Sequence, residues 1–155
     1  MVPLVAAGLA AVGCMSVPQG VHLYVSDSGC TSDGYCPWPD GAPHDFYYAP
    51  TRELVLAAGQ SVKVAAHELC HAHQHETILE ETGREPVGLT MAEWLDTGEA
   101  AAYRLVVAAN PRPASWTLSG DNLIEDFAEA CGRYLTGWRD QDPARDAFFT
   151  ARGFK

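Results

Sequence analysis

The stretch Ser61-Val62-Lys63-Val64-Ala65-Ala66-His67-Glu68-Leu69-Cys70-His71-Ala72-His73-Gln74-His75-Glu76-Thr77-Ile78-Leu79 decides how this chain is read. Val62, Val64, Ala65, Ala66, Leu69 and Ala72 recur at helical spacing, and Ser61 stands where an N-cap belongs. The segment therefore predicts a helix from about Ser61 to Leu79. His67 and His71 stand four apart, so their imidazoles lie on one face, a turn apart. Two imidazoles so placed can grip one metal ion, and Glu68 can reach a water activated there. One zinc ion is the expected cofactor. Zinc accepts imidazole and carboxylate ligands and lowers the pKa of its water to roughly 7.

Two histidines do not complete a catalytic zinc site, which takes three protein ligands and keeps one position open. A third histidine ten residues after the first is excluded, because that position is Thr77. His75 lies eight residues beyond His67, about 12 Å along the axis, too far to share the ion. A glutamate from a later helix is the other solution. Glu125, in Glu125-Asp126-Phe127-Ala128-Glu129, and Glu99, in Thr97-Gly98-Glu99-Ala100, are the two candidates.

His67-Glu68-Leu69-Cys70-His71 followed by Glu125-Asp126-Phe127-Ala128-Glu129 resembles the gluzincin branch of the zincin metallopeptidases, with the later segment similar to that of lethal-factor-like members. The resemblance covers the motif helix and one later helix. It implies Glu125 as third metal ligand, with Glu99 as the alternative. It implies Glu129 as hydrogen-bond partner of the free nitrogen of a zinc-bound histidine, His67 being favoured. The implied activity is zinc-dependent hydrolysis of peptide bonds, with Glu68 as general base. Tyr103, Tyr134, His73 and His75 are open candidates for stabilising the oxyanion. The expected partner is a peptide or protein laid antiparallel to a strand near Tyr47-Tyr48. Two alternatives stay open: a non-catalytic, metal-stabilised peptide-binding module, and a fragment of a toxin or effector protease.

Before the motif helix, residues 21–26 alternate as a strand does. Residues 27–45 are rich in Gly, Pro, Asp and Ser and read as a loop. Phe46-Tyr47-Tyr48 and Leu54-Val55-Leu56 suggest a hairpin. After it, Thr90-Met91-Ala92-Glu93 has a capping-box pattern that opens a helix running to about Ala109. Ser119 or Asp121 is placed to cap a third helix over about 122–136, ended by Gly137. Asp142-Pro143 begins a short last one anchored by Phe148 and Phe149. The expected fold is α+β and zincin-like: a small, mostly antiparallel sheet packed on the motif helix, with a helical C-terminal half.

The chain has 155 residues, of which 47 % are hydrophobic and 19 % charged, enough for one domain with one core. Its net charge of −10, with no Lys or Arg before Arg52, gives no basic face for nucleic acid. Residues 1–14 read as a signal or lipobox remnant, with Ala11-Val12-Gly13-Cys14 placing Cys14 for lipidation, and residues 15–155 as the single domain. A lipid at Cys14 would be the one membrane contact. Setting Cys14 aside leaves four cysteines. Cys30 and Cys36 enclose a tight polar loop, and Cys70 and Cys131 remain to join the two metal-bearing helices. The expected location is secreted or lipid-anchored at a bacterial cell envelope.

Overall fold

The structure is a computed structural model, and it describes residues 17–38, 43–57, 61–87, 91–111, 122–138 and 142–154. Residues 1–14, and with them Cys14, lie outside the described residues, as do Thr90, Ser119 and Asp121. Among the described residues the architecture is α+β: three short strands, then four helices.

Strands β1 (His22–Ser26), β2 (Phe46–Tyr48) and β3 (Glu53–Ala57) form one sheet in the order β1-β3-β2. β3 is antiparallel to β2 across three residue pairs and parallel to β1 across five. The sheet is therefore mixed and not mostly antiparallel. The hairpin inserts β3 between β2 and the older strand β1, so β3 becomes central, and all five of its residues are buried. An unbroken apolar run, as in Leu54-Val55-Leu56, is the mark of such a central strand. The hairpin turns through a 3₁₀ segment, Ala49–Thr51.

Helix α1 (Val62–Thr82) is the motif helix. The Ser61 side chain accepts from the Val64 N–H at its start, and Gly83 at φ 67° ends it in the left-handed conformation that glycine adopts freely. Ala92–Asp96 forms a 3₁₀ segment where a capping box had suggested a helix; Glu93 instead accepts from the Val87 N–H at 2.7 Å. Helix α2 (Gly98–Ala109) starts one step later, capped by Thr97, whose hydroxyl accepts from the Ala100 N–H. Helix α3 (Leu123–Leu135) is capped by Asn122, and α4 (Pro143–Ala151) by Asp142 with Pro143 in its first turn.

Helix α3 packs along α1. Gly132 permits the approach: a Cβ there would stand 2.9 Å from the backbone nitrogen of His67. Cys70 and Cys131, next to that contact, form a disulfide, and Cys30 and Cys36 form the second. Phe127 of α3 meets Trp94, Tyr103, Phe148, Phe149 and Phe154 in edge-on contacts. Arg145 is buried there and held by Asp126, Asp142 and the Tyr103 hydroxyl. That arginine ties α4 to α3 and α2 with its charge compensated, the condition under which a charge tolerates burial.

Candidate metal centre

Helices α1 and α3 bring His67, His71 and Glu125 to one point, each offering a ligand atom within 4.8 Å of the others. Nε2 of His67 lies 3.2 Å from Nε2 of His71 and 3.1 Å from Oε2 of Glu125, and Nε2 of His71 lies 3.5 Å from Oε1 of Glu125. Ligands about 2.05 Å from a tetrahedral ion stand about 3.3 Å apart, and the separation of the two imidazole nitrogens, with a Glu125 oxygen near each, is of that size. The donor set, two imidazoles and a carboxylate, suits that ion as well.

The charges around the triangle are unbalanced. Burial pulls the His67 imidazole down, but the Glu125 and Glu129 carboxylates outweigh it and lift it to about 9. Burial pushes Glu125 up, yet the two imidazoles outweigh it and hold it well below the ordinary carboxylate range. A proton on His67 thus does neutralising that a cation would do in its place.

Glu129 lies behind His67, with Oε2 3.7 Å from Nδ1, beyond hydrogen-bond reach. Both atoms are buried, and neither has a hydrogen-bond partner. Its other oxygen is engaged by Lys63 at 2.9 Å and Arg133 at 2.7 Å. Burial pushes Glu129 up, but His67, Lys63 and Arg133 prevail and hold it down to about 2. Glu129 is therefore placed as an ionised carboxylate facing His67, as the resemblance implies, at a separation that a small ring shift would close.

Glu68 points from α1 toward β2. Its Oε2 accepts from the backbone N–H of Tyr47 at 3.0 Å, and Oε1 lies 4.0 Å from Nε2 of His67. Burial raises its pKa. In front of the triangle opens a cleft of about 530 Å³, walled by Trp38, His44 and Phe46 on one side and Met91 and Ile124 on another. Trp38 packs edge-on against Phe46, ring centres 5.4 Å apart.

Five other candidates, Glu99, Tyr103, Tyr134, His73 and His75, lie elsewhere. Glu99 is no ligand here: it is buried across α1 from the triangle, where His73, Thr77 and Trp94 donate to it. Tyr103 donates to Asp126, and the Tyr134 hydroxyl lies 3.0 Å from that of Thr150 and donates to the Phe154 carbonyl; neither tyrosine lines the cleft, so neither serves an oxyanion there. His75 is fully buried, between the Tyr47 hydroxyl at 2.9 Å and Glu85 at 2.7 Å. Sequence reasoning missed four contacts at the centre: Gln74 on His71, Lys63 and Arg133 on Glu129, and the Tyr47 amide on Glu68. Gln74 and Arg133 carried a signal, the one three residues after His71 and the other four after Glu129 on the same helical face.

The two disulfides are those of a chain that matures in an oxidising compartment. No helix among the described residues is long and apolar enough to cross a membrane. Comparison of the chain with protein families, with curated proteins and with solved structures finds no match.

Proposed function

We propose that this chain is a zinc-dependent endopeptidase of the gluzincin type, secreted or lipid-anchored outside the cytoplasm. The observation that carries this reading is the triangle of His67, His71 and Glu125 with Glu68 beside it and a cleft in front. Zinc held there would supply Lewis acidity, activating a water and polarising a substrate carbonyl.

The chain's own residues supply the rest. Glu68 takes a proton from the attacking water and returns it to the leaving amine, while the Tyr47 N–H fixes its carboxylate. Glu129 steadies His67 from behind. β2 is an edge strand that borders the cleft through Phe46 and Tyr47, so an extended peptide can lie along it. The apolar lining from Trp38, Phe46, Met91 and Ile124 suits a large apolar side chain near the cut bond.

Zinc content and casein cleavage measured together in wild type, Glu68→Gln and His71→Ala test the reading. One zinc in wild type and Glu68→Gln, none in His71→Ala, and cleavage by wild type alone is the expected result. Cleavage undiminished in Glu68→Gln would overturn the mechanism. Stoichiometric zinc with no cleavage across varied peptides would favour a metal-stabilised binding module instead.

A further inference from the structure

Gln74 is fully buried on α1, three residues after His71. Its Nε2 lies 3.1 Å from the carbonyl oxygen of Ile124 on α3, and its Oε1 lies 2.8 Å from Nδ1 of His71. The Ile124 oxygen only accepts, so it must face the amide's NH₂ end, which directs the acceptor end at His71. An acceptor there requires the proton of the neutral imidazole on Nδ1. The lone pair is then on Nε2, the atom that faces His67 and Glu125.

We propose that Gln74 is a positioning residue that locks His71 in its metal-binding tautomer and, through Ile124, keys that choice to the placement of Glu125. This rests on the metal-centre reading above. Ile124 precedes Glu125 directly, so one amide fixes a ligand on α1 and the backbone beside a ligand on α3. A buried amide that lost either partner would leave a polar group stranded, so the two contacts hold each other in place. An ordinary core residue at this position would fill the same space and set no tautomer.

The test uses the full chain as wild type, Gln74→Leu and Gln74→Glu. Nitrogen-15 NMR of the histidine rings reads the His71 tautomer, in the metal-free protein at alkaline pH and in the zinc-loaded protein. Competition with a chromophoric chelator reads zinc affinity, and thermal unfolding checks the fold. Wild type should show His71 protonated on Nδ1 in both states. Gln74→Leu should show a tautomer mixture when metal-free and bind zinc about 10–100-fold more weakly. Gln74→Glu keeps the acceptor and should retain the Nδ1–H tautomer with affinity nearer to wild type, although it loses the bond to Ile124. A wild-type His71 protonated on Nε2 when metal-free would overturn the inference, as would a folded Gln74→Leu with unchanged tautomer and unchanged affinity. Because the metal-free tautomer is read without zinc, failure of wild type to bind zinc would sink the proposed function and leave Gln74 decided by the ring spectrum alone.

Discussion

Helix α1 carries a histidine–glutamate cluster on each of two faces, and they differ in one respect. On the inner face Glu99 is saturated: His73, Thr77 and Trp94 donate to it, and Arg152 approaches to 3.6 Å. On the cleft face His67, His71 and Glu125 point ligand atoms at one another, and behind His67 its Nδ1 and Glu129 Oε2 face each other at 3.7 Å without a hydrogen-bond partner. Both are built around histidine and glutamate. A saturated cluster is finished as a piece of structure, whereas an unsaturated one has room for a cation. Satisfaction of donors and acceptors, more than composition, separates a structural polar cluster from a site.

Exchanging the lesions should give the largest contrast. Glu125→Ala should lose zinc by more than the roughly 100-fold that an outer partner is worth. Glu99→Ala should keep zinc and lose about 3–5 kcal/mol, because it strands buried donors. Chelator competition and urea unfolding on both variants check this. If Glu99→Ala lost the metal instead, the two clusters would have exchanged roles.

Cutting the cross-link comes next. Cys70→Ser with Cys131→Ser should cost about 2–4 kcal/mol in urea unfolding. It should also weaken zinc binding, since Cys131 shares α3 with Glu125, while the Glu99 cluster needs no such clamp.

A smaller lesion falls on the same side. Gly132→Ala should cost about 1–3 kcal/mol, because its methyl meets the His67 backbone and α3 must move away. Equal zinc affinity in this variant would show that the triangle tolerates helix displacement.

The smallest effect is on pH. Burial pushes Glu99 up, but His73, Trp94 and Thr77 outweigh it and hold its pKa below the ordinary value. Its stabilisation is therefore present above about pH 4.3 and is lost as pH falls through the lowered value. Urea unfolding of wild type and Glu99→Gln across acid pH should show a shallower acid-side loss in the variant.

Much of this was legible before any coordinates. Ser61 and Gly83 bound the motif helix, because capping is local chemistry, and the last turn runs past Leu79 to Thr82 only because polar residues continue a helix as readily as apolar ones. The two disulfides followed from counting and spacing. The triangle was legible through a resemblance, since nothing local to Glu125 distinguishes it from Glu99. The parallel pairing of β1 was hidden because strand order depends on where the hairpin inserts. Tyr103, Tyr134 and His75 misled because a polar tip on a helix does not reveal whether water or a buried partner receives it.

The Cys70–Cys131 bond closes a loop that includes α2 and every connection between the two ligand-bearing helices. A peptide bond cut anywhere between Gly83 and Asn122 would divide the chain in two without parting His67 and His71 from Glu125. Nicked molecules would migrate as one species until reduced, and would carry an intact set of ligands through damage that severs the backbone.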